Sequence, residues 1–181
     1  MRKPLVLIGG APGTGKSTLA HDLSCHLRFD HRIGTGFIRA VLQSEVSPES
    51  EPDLFSFTFS SDDPVTNLER QAHRVRPAVL ACLERARREG TSLIVEGSHL
   101  IPALYADAAV DLFIVLGAPP GDEHFSRLTG PTHSKRQIND RDWGNVQLIN
   151  AYYLDEAERW GARTVVYGTD LDDVASLLEP E

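Results

Sequence analysis

The sequence is poor in several features that mark particular classes of protein. Its two cysteines, Cys25 and Cys82, show neither CxxC spacing nor paired histidine partners. A disulfide framework and a cysteine-based metal site are therefore not expected, and both residues are predicted to be buried free thiols. No apolar run approaches the roughly 18 residues that span a bilayer. No repeat, low-complexity tract or linker divides the 181 residues. We expect a single domain, residues 1–181.

Positive charge is also scarce. The chain has 18 lysines and arginines against 26 aspartates and glutamates, which gives a formal net charge of -8. Such a chain is not attracted to nucleic acids or anionic membranes, so a small anionic ligand would be held by local positive groups. The N-terminal segment, residues 1–3, is basic because of Arg2 and Lys3, and it precedes an apolar run that is too short for a signal peptide. We expect a cytoplasmic monomer or homodimer.

The strongest feature that is present lies near the start of the chain. Residues 10–17 match the G-x-x-x-x-G-K-[ST] pattern of a phosphate-binding loop at every specified position. A short apolar run, residues 4–9, precedes them, and apolar residues at helical spacing follow. The glycines of the loop let backbone N–H groups face an anion, and the positive N-terminal end of the following helix points at the same anion. The expected nucleotide-binding residues are Gly10, Ala11, Pro12, Gly13, Thr14, Gly15, Lys16, Ser17 and Thr18.

Two side chains of this loop have distinct expected roles. Lys16 can reach the β- and γ-phosphates of a nucleotide, and the Ser17 hydroxyl is placed to ligate Mg²⁺. ATP and Mg²⁺ are therefore the expected cofactors. The alternative is a tight glycine turn that binds nothing. The order of strand, loop, Lys-Ser and amphipathic helix argues against that alternative.

Candidate residues for the rest of the site come from two later segments. Residues 91–97 form an apolar strand that ends in Glu96. The carboxyl ends of parallel strands face the ligand crevice, so Glu96 is expected to hold Mg²⁺ through water or to orient the attacking hydroxyl, unless it is a surface residue without a role. His99, in the next loop, either contacts the acceptor or is a structural histidine bonded to backbone. Arg39, in a short predicted helix over residues 36–43, either clamps an anionic acceptor or is solvated.

A basic segment inside this acidic chain predicts a lid. Residues 121–141 contain Arg127, Lys135, Arg136 and Arg141 around a glycine and a proline. A mobile lid with such arginines stabilises transferring phosphates and expels water, so Arg127, Arg136 and Arg141 are candidate catalytic residues. A solvated charged surface is the alternative. The following helix is expected to bury one side, formed by Val146, Ile149, Tyr153, Ala157 and Trp160.

Two further segments leave alternatives open. Residues 44–63 lack periodicity and predict a flap that carries Phe55, Phe57 and Phe59, either as a short strand or as side chains anchored in the core, which is favoured over platforms for a base. Residues 64–90 show a helical apolar pattern interrupted by Pro77, so the helix either kinks there or is two abutting helices. Together the elements describe a three-layer α/β domain with a mostly parallel five-stranded sheet.

At this point the residues resemble a known family. Residues 8–20, residues 33–39, residues 94–102 and, more thinly, residues 150–157 resemble signature segments of 2-phosphoglycerate kinase and its relatives. The resemblance spans most of the chain, and the Glu-Gly-x-His-Leu-x-Pro segment that begins at Glu96 is its most specific part. It implies an adenylate-kinase-like, shikimate-kinase-like P-loop fold with a helical lid. It also implies transfer of the ATP γ-phosphoryl group to a hydroxyl of a small acceptor.

One departure from the family pattern concerns the acceptor. The family usually has Thr-Asp-x-Ile-Arg, whereas this chain has Gly36 in place of the aspartate. Glu96, Asp62 or Asp63 could substitute for that carboxylate. The acceptor is then 2-phosphoglycerate or a natural-product, antibiotic or sugar hydroxyl. The alternative function is a non-catalytic nucleotide-binding regulator. A kinase of nucleic-acid ends is disfavoured by the negative charge and by the lack of a basic groove with interleaved aromatics.

Overall fold

The computed structural model describes residues 3–119, 121–130 and 138–178, and its centre is a five-stranded sheet. The strands are β1 (Leu5–Gly9), β2 (His31–Gly34), β3 (Leu93–Glu96), β4 (Leu112–Gly117) and β5 (Arg163–Val166). Their order across the sheet is β2-β3-β1-β4-β5, and each neighbouring pair is parallel. The prediction of a mostly parallel five-stranded sheet is confirmed, with all four pairings parallel.

Six α-helices are present in the described part of the chain. They are α1 (Lys16–His26), α2 (Thr35–Gln43), α3 (Pro64–Glu89), α4 (Gly121–Leu128), α5 (Asp140–Trp160) and α6 (Leu171–Ser176). Short 3₁₀ turns cover Pro52–Phe55, Thr58–Ser60 and Pro102–Tyr105. None of the helices in the described ranges is long and apolar enough to cross a membrane.

The helix ends follow from local sequence. The Asp63 side chain accepts from the backbone N–H of Thr66 and caps α3, which has proline at its first position. Gly90 ends the same helix in the left-handed conformation. Asn139 and Asp142 form a reciprocal capping box at the start of α5.

The sheet has helices on both faces. Side chains of β1 alternate between them: Val6 shares a buried cluster with Leu23 of α1, whereas Leu7 shares one with Val79 of α3. These four side chains are fully buried. Each contributes about 2 kcal/mol of hydrophobic stabilisation. The central strand is thus covered from both sides, which confirms the three-layer arrangement.

Register brings three elements to one edge of the sheet. Glu96, the last residue of β3, lies beside Ile8 of β1 on one side and Gly34 of β2 on the other. The loop after β1, the start of α2 and the end of β3 therefore meet at the carboxyl edge. Strands β3 and β4 flank β1 on opposite sides, so this edge is the topological switch point at which α/β sheets bind ligands.

The residues around α3 settle two open questions. Residues 64–89 form one helix that contains Pro77, and both Pro77 and His73 are exposed, so water can solvate the carbonyl that the proline leaves without a donor. Among the three phenylalanines of the preceding flap, only Phe59 is buried; Phe55 and Phe57 are 39% and 46% exposed. The anchoring prediction is therefore correct for Phe59 and wrong for the other two.

Two other burial predictions are wrong. Trp160 was expected on the buried side of α5, but it is 49% exposed because it is the last residue of that helix, beyond the part covered by the sheet. Cys25 is exposed and Cys82 is half-buried, so neither is a fully buried thiol. Cys25 lies on α1 two residues beyond the fully buried Leu23, and residues two apart on a helix point in different directions.

Candidate active site

Residues 10–17 lie at the turn from β1 into α1, and most of residues 12–17 line a cavity. Gly13 and Gly15 have φ angles of 79° and 98°, a region that other residues rarely adopt. An added Cβ at Gly15 would lie 2.9 Å from the Tyr167 ring, so this position excludes any side chain. Gly15 is also the N-cap of α1, and no side chain caps this helix. The first-turn N–H groups are thus directed at the position of a bound anion.

The lysine of this loop is almost buried. Lys16 is 7% exposed, and its Nζ donates to the carbonyl oxygen of Ala11 at 2.6 Å. The side chain therefore folds back over the loop that it belongs to. An ammonium in this position can exchange the carbonyl for phosphate oxygens without a large movement.

The serine of the loop contacts the carboxylate at the end of β3. The Ser17 hydroxyl donates to Oε1 of Glu96 at 3.0 Å, and Glu96 is 9% exposed. A Cβ at Gly34 would lie 2.9 Å from the same oxygen, so the absence of a side chain there makes room for the carboxylate. The prediction that Glu96 lies near the phosphate loop is confirmed.

The Ser17 hydroxyl and the Glu96 carboxylate are oxygen groups of the kind that bind Mg²⁺. No group of three or more His, Cys, Asp or Glu residues that could hold a metal exists in the ranges the structure describes. A hard cation here would be held by Ser17, by Glu96 directly or through water, and by phosphate oxygens of a ligand. Mg²⁺ commonly binds in this way, with few protein ligands and several waters.

A hydrogen-bond network centred on Gln71 forms another part of the site. The Gln71 Nε2 donates to the carbonyl of Ser56 at 3.3 Å and to Oδ1 of Asn67 at 3.3 Å, so its Oε1 is the acceptor. That oxygen lies 3.1 Å from Nη1 of Arg39 and 3.2 Å from Nε2 of His99. The imidazole therefore carries its proton on Nε2.

The other imidazole nitrogen fixes the start of α2. Since Nδ1 of His99 is unprotonated, it accepts from the Thr35 hydroxyl at 2.8 Å. Burial, with the positive charges of Arg39 and Lys16, lowers the pKa of His99 to about 3. His99 is thus a neutral, side-chain-bonded residue that also lines the cavity. The prediction of a histidine bonded to backbone is wrong, because both ring nitrogens contact side chains. The alternative of a solvated Arg39 is also wrong, because Gln71 and the Ser56 carbonyl hold its guanidinium.

A second buried histidine attaches the phosphate loop to α4 and α5. The fully buried His124 donates from Nε2 to the carbonyl of Pro12 at 2.8 Å, and its Nδ1 accepts from Gln147 at 3.3 Å. Its ring also packs edge-to-face on Trp143. Burial lowers the pKa of His124, with Lys16 adding to that shift and the Pro12 carbonyl opposing it. A neutral imidazole therefore holds the loop from outside.

The three candidate lid arginines have different locations. The Arg127 guanidinium lies 3.3 Å from the centroid of the Tyr167 ring, pairs with Glu123 at 2.9 Å and lines the cavity beside the phosphate loop. Arg141 instead contacts the exposed Asp62 and is not among the residues that line the cavity. The structure therefore does not bring Arg141 to the site, because it lies in the first turn of α5, which faces the flap. Arg136 lies outside the described residues, as does Lys135.

Six of these side chains line one cavity of about 850 Å³: Lys16, Ser17, Arg39, Glu96, His99 and Arg127. Among the described residues that line it, Glu96 is the carboxylate and Lys16, Arg39 and Arg127 are the cations. The two other carboxylates considered for the missing aspartate do not line it: Asp62 contacts Arg141, and Asp63 caps α3. A Cβ added at Gly36 would meet no atom within 4 Å, so the position of that aspartate is open space.

Sequence reasoning missed Gln71 and His124. Gln71 interrupts the apolar side of α3, between Leu68 and Val75, and a buried polar residue in such a stripe is the available signal. His124 has no comparable signal, because its partner Pro12 is 112 residues away.

Comparison with known proteins identifies the family. A family model described as an AAA domain matches residues 6–160. The chain belongs to this family. It is also 28% identical to a 2-phosphoglycerate kinase from Thermococcus kodakarensis, over 96% of this chain and 64% of that protein. A 2-phosphoglycerate kinase from Pyrococcus furiosus is 34% identical over 96% of this chain and 62% of its own length. The resemblance found in the sequence is confirmed, and the chain spans less than two thirds of these relatives.

The fold agrees with a solved structure. The chain superimposes on a shikimate kinase from Acinetobacter baumannii in complex with shikimate with a TM-score of 0.63, over 97% of this chain and 93% of that one. The sequence identity is 10%, so the likeness concerns the fold. The shikimate-kinase-like P-loop architecture expected from the sequence is confirmed.

Proposed function

We propose that this chain is an ATP-dependent phosphotransferase that moves the γ-phosphoryl group to a hydroxyl of a small acceptor. The observation that carries the proposal is the contact between Ser17 and Glu96 beside Lys16, in a cavity that extends to Arg39 and His99. The similarity to 2-phosphoglycerate kinases supports it. Candidate acceptors are 2-phosphoglycerate and natural-product, antibiotic or sugar hydroxyls.

The phosphate loop binds and orients the nucleotide in this proposal. Backbone N–H groups of residues 10–17 and the start of α1 hold the phosphates, and Lys16 neutralises charge on the transferring group. Ser17 and Glu96 would hold Mg²⁺, which would neutralise negative charge on the phosphates. Arg127 lies on the side of the loop where it can contact the phosphates, and Arg136 stays a candidate for the same task.

Glu96 has a second task because Gly36 replaces the family aspartate. It is the carboxylate of the cavity lining in the described ranges, so it orients the acceptor hydroxyl as well as the metal. Phosphoryl transfer depends mainly on positioning and charge neutralisation, so the loss of a dedicated base does not prevent it. Arg39 and His99 form the acceptor side.

ADP release from Mg-ATP tests this proposal. The acceptors are 2-phosphoglycerate, glycerate, sugars, nucleosides and aminoglycosides. We expect one class to raise the rate, and Lys16→Met to lower that rate by at least roughly 100-fold, because the variant removes the charge that faces the transferring group. Lys3→Met is the matched control, since Lys3 pairs with Asp30 away from the cavity.

The alternative is a nucleotide-binding regulator. It predicts tight ATP binding without any acceptor-dependent ADP release. Arg127, which lines the cavity beside the phosphate loop, favours the kinase, because a switch has less need of an arginine that can contact the phosphates. If no acceptor of the panel raises ADP release although the protein binds ATP tightly, the kinase proposal is rejected.

A further inference from the structure

The acceptor side of the cavity has little positive charge. Of the three cations that line the cavity in the described residues, Lys16 and Arg127 lie against the phosphate loop, which leaves Arg39 on the acceptor side. The Arg39 guanidinium already donates to the carbonyl of Ser56 and to Gln71. Within the described lining, an acceptor with both a carboxylate and a phosphate would bring two anionic groups to one cation that is already engaged. Bare charge of that kind is costly to desolvate without matching cations.

The acceptor side of the cavity carries exposed aromatic side chains. Phe37 of α2 and Phe57 of the flap line the cavity and are 79% and 46% exposed. Phe57 lies parallel to Phe59, with ring centroids 5.3 Å apart and an interplanar angle of 8°. Phe57 thus packs on Phe59 and still keeps almost half of its surface exposed. Large exposed aromatic rings in a cavity are typical of ligand contact.

Hydrogen bonds to the backbone of residues 56 and 57 fix the position of the Phe57 ring. The carbonyl of Phe57 accepts from Asn67 at 3.2 Å, and the carbonyl of Ser56 accepts from both Gln71 and Arg39. Phe59 anchors the segment in the core. The Phe57 ring is therefore preorganised, which lowers the entropy cost of stacking a ligand on it.

We propose that the acceptor is a hydroxyl compound with an aromatic group that lies against Phe57 and Phe37. The open space at Gly36, which lines the same cavity next to Phe37, would take the hydroxyl-bearing part of the acceptor. Glu96 then orients that hydroxyl. This inference rests on the proposed phosphotransferase function and narrows its acceptor.

Matched pairs of acceptors test the inference. The pairs are uridine with ribose, and phenyl with methyl β-D-glucoside; 2-phosphoglycerate is the anionic comparison. ADP release gives KM and kcat, and calorimetry with Mg²⁺ and a non-hydrolysable ATP analogue gives affinity without chemistry. We expect at least one aromatic compound to have a KM roughly tenfold or more below that of its partner, because the partner lacks the stacked ring.

Three variants locate the contact. Phe57→Ala should raise the KM of the aromatic compound roughly tenfold, leave kcat within a small factor and leave the partner's KM unchanged. Phe37→Ala should act in the same direction, and it keeps the test valid if Phe57→Ala does not fold, because Phe37 is largely exposed. Phe55→Ala is the matched control, since Phe55 is on the same flap but does not line the cavity.

The outcomes separate this inference from the kinase proposal. Transfer to 2-phosphoglycerate or a purely polar acceptor, unaffected by Phe57→Ala and Phe37→Ala, overturns the inference and leaves the kinase intact. Aromatic binding that these variants weaken, without ADP release, supports the inference about recognition and rejects the kinase. If no aromatic compound binds or reacts better than its partner, the inference is wrong.

Discussion

The two halves of the cavity are built in opposite ways. The phosphate half comes from one contiguous loop, residues 10–17, and uses backbone N–H groups and charged side chains. The acceptor half comes from α2, the flap, α3 and the loop after β3, and its network of Thr35, Gln71 and His99 is neutral. Phosphate is common to many ligands and can be bound by local backbone geometry, whereas acceptor recognition requires side chains from separate segments.

Glu96 connects the halves, so its charge should produce the largest effect. Glu96→Gln keeps the size of the side chain and an oxygen that can accept from Ser17, but it removes the negative charge beside the metal and the hydroxyl. We expect kcat to fall by about 100-fold, with smaller changes in metal-free nucleotide affinity. Steady-state ADP release with the best acceptor measures this.

Glu84→Gln controls for the loss of a carboxylate, because Glu84 is exposed on α3. A kcat for Glu96→Gln within a factor of about three of the parent would mean that Glu96 belongs to neither half.

The neutral state of the acceptor network should be visible in stability. An unfolded histidine has a pKa of about 6.5, whereas burial lowers the pKa of His99 to about 3. Between these values the unfolded chain binds a proton that the folded chain does not, so the free energy of unfolding falls as pH falls below about 6.5. From about pH 7 to about pH 5, His99 should account for a loss of about 2 kcal/mol.

Urea unfolding of His99→Gln at the two pH values tests this expectation. The variant should lose about 2 kcal/mol less than the parent over that range. His124, whose pKa is also lowered, stays in both proteins and cancels in the comparison. His73→Gln, at an exposed site on α3, is the control. Equal pH dependence of His99→Gln and the parent would contradict a buried neutral His99.

The smallest effect is expected for substitution of Gly36, the position at which the family usually has an aspartate. Gly36→Asp adds a side chain to open space near the start of α2, where acidic residues favour the helix dipole. We expect stability to rise by about 0.5–1 kcal/mol and kcat to change less than about tenfold, since Glu96 already orients the hydroxyl.

Gly36→Ala separates the backbone contribution from the charge. Thermal unfolding and ADP release measure both variants. A gain in kcat of more than about 100-fold for Gly36→Asp alone would show that Glu96 does not serve the acceptor hydroxyl.

Much of the phosphate half could be predicted from sequence. The loop pattern, the flanking strand and helix, and a carboxylate at the end of a later strand identify Lys16, Ser17 and Glu96. The acceptor half was predicted less well. Arg39 and His99 were named, but Gln71, which positions both, was missed, and Phe57 was expected to be an anchor rather than an exposed platform. Arg141 was assigned to the site by its charge alone, and the structure pairs it with Asp62 instead.

The sequence by itself determined the strands, the boundaries of α2 and α3 to within a residue, the parallel sheet and the anion site, because these depend on local periodicity, caps and glycine conformations. Only the tertiary structure decided which side chains face the acceptor. Gln71 meets His99 and Arg39 over separations of 28 and 32 residues, and Pro12 meets His124 over 112. Such contacts follow from how the layers pack, and no local pattern in the chain encodes them.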